Sequence, residues 1–286
     1  MYTVFITVHD QDLILKLEQN KVFRNLKAYT YMFVGVRPVD KIKHMKNVII
    51  ARDYPINIEK YKSLCDFTGW YALVKNNLIK TPFVSLIQFD SLIKPGFDKL
   101  TTKMFRQHPN ALMGYQPHLL TADYFLEDRF CLTMKQCVKK YYGVDVEDLV
   151  KQVQEKGDTQ WPGATSIFCS KEILEQYIAW CEPMIDTLGA DPMGGHSIER
   201  GVKFFSILYG IENFYLPQVL QHIFACSHDQ DYVPEDLKAI YRARFASFLA
   251  GELSKPKYPK WLCKICCLFI WHTQQRKDFM EKYCRR

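Results

Sequence analysis

The 286-residue chain lacks any uninterrupted run of about 18 apolar residues, so no segment reads as a membrane-spanning helix. It also lacks a basic stretch leading into an apolar one at its start. Met1-Tyr-Thr-Val-Phe-Ile-Thr-Val reaches His9 and Asp10 at once, which does not read as a signal peptide. Glycine and proline are sparse, at 13 each, while 48% of residues are hydrophobic and 14% aromatic; this excludes collagenous, low-complexity and disordered chains. The ten cysteines have no regular spacing, which favours reduced thiols over a disulfide framework and leads to the expectation of a cytoplasmic enzyme. No internal repeat is present.

The length suits one α/β domain with a tail. A formal charge of +7 would suit nucleic acid, an anionic membrane surface or a phosphate-bearing ligand. The basic residues are spread along the sequence, so charge alone decides little.

Residues 2–8 alternate and are rich in β-branched types, as in a strand, and residues 10–17 read as the start of a helix. Residues 28–36 repeat the strand signal and residues 47–51 supply a third short apolar run. From 57 to 79 the apolar positions recur at helical spacing, predicting one long helix closed by Thr81-Pro82. Residues 83–90 then form a nearly continuous apolar run that ends in Asp90, as expected of a central strand with a functional carboxylate at its carboxyl edge. Alternating strands and helices predict an α/β fold, a mostly parallel central sheet flanked by helices with a helical C-terminal extension. Residues 164–169 are strand-like in the more mixed second half.

Open α/β sheets bind ligands at the carboxyl ends of their strands, which here places Thr7, Val8, His9, Arg52, Asp53 and Asp90 in the candidate crevice. A carboxylate there suits Mg or Mn, hard cations that share oxygen ligands with substrate phosphates. Asp90 is equally compatible with capping the turn that leads to Pro95-Gly96.

Phe83-Val-Ser-Leu-Ile-Gln-Phe-Asp-Ser-Leu-Ile-Lys-Pro-Gly-Phe97 resembles the stretch of GT-A-fold glycosyltransferases that carries their Asp-x-Asp metal motif, with Gln88 in place of the first Asp and Asp90 matching the second. Gly194-Gly-His-Ser-Ile-Glu-Arg200, followed by an apolar helix, resembles segments of bacterial surface-polysaccharide and algal-virus capsid glycosyltransferases. The resemblance covers residues 1–225 and implies a GT-A-like, Rossmann-like domain there, with a donor half over about 1–100 and an acceptor half over about 101–225. It implies a nucleotide-diphosphosugar donor, with UDP the expected nucleotide, and a divalent metal. Thr7, Val8, His9, Gln88 and Phe89 would then face the nucleotide together with Arg52, and the helix bearing Asp66, Trp70 and Lys75 would pass beside it.

Sugar transfer needs the charge that develops on the departing diphosphate to be neutralised, for which Asp90 with a metal, Arg200 and Lys75 are candidates. Asp191, His196 and Glu199 are candidates for the general base on the acceptor hydroxyl. Taken without the resemblance, the His196-x-x-Glu199-Arg200 segment also reads as a helix start with solvated or paired side chains. Trp161 and Gly163 could form a platform for the apolar face of an acceptor sugar, although Trp161 reads equally well as a core residue. The resemblance implies a third metal ligand at His222, which read alone is an ordinary core histidine.

From Lys255 the composition shifts, and residues 226–286 read as an extension. Its segment 260–286 either packs on the domain or meets a membrane surface peripherally. Zinc binding by Cys263, Cys266 or Cys267, His272 and Cys284 fits no common ligand spacing well. The expected function is transfer of a sugar from a nucleotide-diphosphosugar to a glycan or glycoprotein acceptor, with no nucleic-acid partner. The alternative is a non-catalytic carbohydrate-binding or scaffold protein of the same fold. A nucleotidyltransferase ranks last, because no Gly-rich basic signature follows Val8.

Overall fold

The computed structural model describes residues 2–115, 117–120, 125–158, 160–162, 166–223 and 235–254, with side chains of 117–119 excepted. In chain order the elements are β1 (Tyr2–Val8), α1 (Gln11–Gln19), β2 (Thr30–Phe33), β3 (Val48–Ile50), α2 (Asp66–Lys75), β4 (Phe83–Gln88), β5 (Ser91–Ile93), α3 (Phe97–Gln107), β6 (Leu112–Gly114) and β7 (Pro117–Leu119). There follow α4 (Asp128–Tyr142), α5 (Val146–Glu155), β8 (Gln160–Pro162), β9 (Ile167–Ser170), α6 (Lys171–Cys181), α7 (Ile185–Ala190), α8 (Gly194–Leu208), β10 (Asn213–Tyr215), β11 (Leu220–His222) and α9 (Glu235–Leu249).

Seven strands form one sheet in the order β10-β6-β9-β4-β1-β2-β3, parallel throughout except for β9, which runs against both its neighbours. Successive side chains of a strand face opposite sides of the sheet, and here both sides are buried. Val4, Ile6 and Val8 of β1, Ile87 of β4 and Phe168 of β9 belong to one apolar cluster, with Ile14 and Leu17 of α1, Phe97 and Phe105 of α3 and Phe248 of α9. Phe5, Leu86, Ile167 and Cys169 point the other way, into a second cluster with residues of α2 and α4–α8. The result is the α/β sandwich expected from the sequence, a mostly parallel sheet with helices on both faces.

The single helix expected over 57–79 is not what forms. A short 3-10 turn at Lys62–Leu64 stops at Cys65, whose φ of 46° is incompatible with a continuing right-handed helix, and α2 starts afresh at Asp66. It ends at Asn76, followed by Asn77 at φ 51°. Apolar spacing cannot register such a reversal, because it changes backbone direction without changing which residues are buried. The expected strand at 28–36 is likewise shorter, at Thr30–Phe33, before the chain turns at Gly35.

Helix starts follow their side-chain caps. The Asp10 carboxylate accepts from the backbone N–H groups of Asp12 and Leu13 at 2.8 and 3.1 Å to open α1, and the Ser170 hydroxyl accepts from Ile173 to open α6. Behind the site, Lys203 of α8 is buried and donates to Asp158 and to Asn213, tying α8 to β10; burial lowers its pKa against the opposing pull of Asp158. Among the described residues no helix is long and apolar enough to cross a membrane.

Phe168 is fully buried and packs edge-on to Phe105 and beside Tyr115, at centroid distances of 5.1 and 4.9 Å. Phe168→Ala should therefore destabilise the fold by about 3–5 kcal/mol, and Phe168→Leu by much less, in urea unfolding monitored by circular dichroism.

Candidate functional site

The strand order reverses between β1 and β4. From β1 the chain winds outward through β2 and β3, and β4 then returns to the opposite side of β1. At such a switch point the connecting loops part and leave a crevice at the carboxyl ends of the two strands. The pairing of Thr7 with Gln88 and the Phe89 N–H bond to the Thr7 carbonyl at 3.1 Å carry the ladder to its limit, so His9 and Asp90 emerge next to each other. The His9 ring lies edge-on to Phe89, 5.2 Å between centroids.

Asp90 does not simply cap a turn. It is followed by β5, which pairs antiparallel with β11 so that Ser91 stands opposite His222. This small sheet sets His222 Nε2 2.9 Å from Asp90 Oδ1, and the Ile223 N–H donates to the Asp90 carbonyl at 2.8 Å. Both side chains are largely buried. Burial acts to lower the His222 pKa, but the Asp90 carboxylate offsets it by charge and hydrogen bond, with smaller pulls from Glu199 and Asp66, and the net shift is upward from 6.5. The His9 imidazole moves the other way: burial, then the charge of Arg37, lowers it against weaker pulls from Asp10 and Asp90.

Glu199 of α8 and Asp66 at the start of α2 reach this pair through weak charge effects on His222. The two helix starts pack closely, since a Cβ on Gly195 would lie 2.9 Å from the Ser63 carbonyl and 3.3 Å from Cys65 Sγ. On α8, His196 Nδ1 stands 3.6 Å from Glu199 Oε2 and its ring packs on Phe130.

The remaining expected residues sit in the core, at the surface or along the strand ends and their loops. Trp70 is in the core, 1% exposed, beside Phe67 and Tyr177. Lys75, nine residues and so about 13 Å along α2 from Asp66, pairs with Glu182 at the surface, 2.7 Å away. Arg200 is buried as well. Its guanidinium donates to the carbonyls of Phe125 and His196 and stacks over Phe130 and Trp161. Trp161 is 2% exposed and packs on Phe125, in keeping with its core reading; Gly163 lies outside the described residues. Arg52 donates to the carbonyls of Gly35 and Arg37, bracing the loop after β2, and Asp191 accepts from the Met193 N–H just ahead of α8. Thr7 and Val8 are buried within β1, and Gln88 is half-buried, with its backbone N–H donating to the Ser166 hydroxyl.

Three contributors escaped the sequence reading. Arg37 pairs with Asp10 at 3.1 Å and places its charge beside His9. Its position just after β2 was the available signal. Ser166, between β4 and β6, had none, being brought in by the antiparallel β9. Glu59 is buried and accepts from the Gly35 N–H, which fixes the same loop that Arg52 braces; nothing local marks it out.

The donor set can accommodate a divalent ion. Asp90 Oδ1 and His222 Nε2, now 2.9 Å apart in a hydrogen bond, would present one oxygen and one nitrogen to an ion once the imidazole is neutral. Among the described residues no group of three or more His, Cys, Asp or Glu side chains is placed to share an ion, so the protein would supply two ligands and leave the rest to phosphate and water.

No family model matches the chain, and no curated protein does. Among solved structures the chain is similar to the WbbM bifunctional glycosyltransferase in its apo form, at 12% identity and a TM-score of 0.49 over 75% of this chain; it spans less than half of that protein, 44%.

Because Asp90 is what raises the His222 pKa against burial, Asp90→Asn should drop it below the ordinary histidine value when titrated by NMR in metal-free buffer. The pair contributes stability that is fully present below pH 6.5, the reference value, and is lost as pH rises through the higher folded-state pKa. Wild-type protein should therefore lose stability across that window, and Asp90→Asn should lose the dependence.

Proposed function

We propose that the chain is a GT-A-like glycosyltransferase that moves a hexosyl, deoxyhexosyl or pentosyl group from a nucleotide-diphosphosugar, with UDP as the nucleotide, to a glycan or glycoprotein acceptor. The observation that carries this reading is the Asp90–His222 pair at the carboxyl end of β4, beside the switch point between β1 and β4. The sequence resemblance at 83–97 and 194–200 adds to it.

On this reading the nucleoside lies over the end of β1 and the loop after β2, against His9 and the segment from Gly35 to Arg37. The diphosphate lies at Asp90 and His222. A manganese or magnesium ion held there would supply charge neutralisation for the leaving diphosphate. To ligate that ion His222 would give up the proton that its raised pKa favours, so metal affinity should fall as the pH drops. Glu199 and His196, adjacent on α8, are the groups suited to take the proton of the acceptor hydroxyl. Arg200 acts through position rather than contact: from its buried site it holds the His196 carbonyl.

The reading of a binding protein that has lost the chemistry rests on Gln88 at the first carboxylate position and on the two-ligand donor set. Titration calorimetry separates the two. UDP should bind with manganese and much more weakly without it, and Asp90→Ala should abolish that difference, at a cost of at least the 10- to 100-fold typical of disturbing a metal's outer-shell partners. Slow hydrolysis of the UDP-sugar in the absence of acceptor supports the enzyme, whereas tight glycan binding with no nucleotide affinity supports the binding protein.

A further inference from the structure

Basic residues occur throughout the chain, yet their balance is uneven. Residues 255–286 hold nine Lys and Arg against two Asp and Glu, the whole of the formal charge of +7, so residues 1–254, with twenty-nine of each sign, are neutral. The same 32 residues contain Trp261-Leu-Cys-Lys-Ile-Cys-Cys-Leu-Phe-Ile-Trp271, an apolar run with one charge, bracketed by Lys255, Lys257 and Lys260 before it and Arg276 and Lys277 after it.

The fold shows where this segment departs. Helix α9 is fastened to the segment that follows α1 and to the end of β4: Phe248 packs on Phe23, Phe245 on Phe89, Asn20 donates to the Leu249 carbonyl, and Arg24 donates to the Gly251 carbonyl. Gly251, at φ 67°, turns the chain where a Cβ would meet the Asn20 carbonyl at 2.5 Å. Phe245 meets Phe89 at the carboxyl edge of the sheet and Leu249 meets the end of α1; the first turns of α9 precede both contacts. Those turns expose Leu237 and Ile240, at 39% and 58%, with Arg242 also at the surface.

We infer that α9 and residues 255–286 together dock the protein on an anionic lipid bilayer. A concentrated positive charge on an otherwise neutral protein selects an anionic partner. The apolar content selects lipid over nucleic acid, because protein–DNA interfaces are polar, whereas interfacial anchoring sinks Trp, Leu and Phe below the headgroups. A second copy of the chain would bring like charges together.

Vesicle co-sedimentation of the full chain tests this without any sugar donor, so it stands apart from the transferase reading. The protein should pellet with phosphatidylcholine vesicles containing roughly one-third phosphatidylglycerol, but not with pure phosphatidylcholine, and about 0.5 M NaCl should release most of it. Replacing Lys255, Lys257, Lys260 and Lys264 together by Gln should weaken binding by about fivefold per charge removed. Leu237→Ser with Ile240→Ser, both exposed and so compatible with folding, should weaken it further. Equal binding to neutral and anionic vesicles, binding unchanged by the lysine substitutions, or affinity for duplex DNA with none for vesicles would each overturn the inference.

Discussion

Two parallel strands leave the middle of a sheet on opposite sides of β1, and the crevice that this reversal opens is the constraint on which the candidate site depends. Everything else is arranged around it. The alternation along β1, β4 and β9 commits helices to both faces, which leaves the strand ends for polar side chains to gather. At the carboxyl edge the loops after β1 and β2 supply His9 and Arg37, β4 supplies Asp90, and α2 and α8 bring Asp66 and Glu199.

Within that crevice the small β5–β11 sheet turns a carboxylate at a strand end into a pair. Without β11, Asp90 would be a buried carboxylate; with it, charge and hydrogen bond are matched by an imidazole. Burial at this point works against the imidazolium and the carboxylate works for it, and the carboxylate prevails. The same competition at His9, where the nearest charge is a guanidinium, ends the other way. Two histidines at one edge of one sheet are thereby shifted to opposite sides of their ordinary pKa, His222 toward the imidazolium and His9 toward the neutral ring.

How much of this was legible in the sequence depended on the range of the signal. The short alternation of residues 2–8 and the apolar run into Asp90 are local patterns, and both became strands with the expected carboxylate at the end. The break at Cys65 was not legible, because a left-handed residue leaves the apolar spacing intact. Trp70 and Arg200 show the limit of reading a helix face: an aromatic or a guanidinium on a helix can point into the core or into a cleft, and only the packing of α2 against α6, or of α8 against β8, decides which. His222 was named from the resemblance, yet its partnership with Asp90, 132 residues away, arises from strand pairing that no local pattern encodes.

The most direct measurement of the central claim is a crystal structure with UDP and manganese, using the anomalous signal to place the ion. The account predicts a manganese peak bonded to Asp90 and His222 with the diphosphate beside it and the uracil over the end of β1. A nucleotide bound away from the β1–β4 carboxyl edge, or manganese held by other side chains, would contradict it.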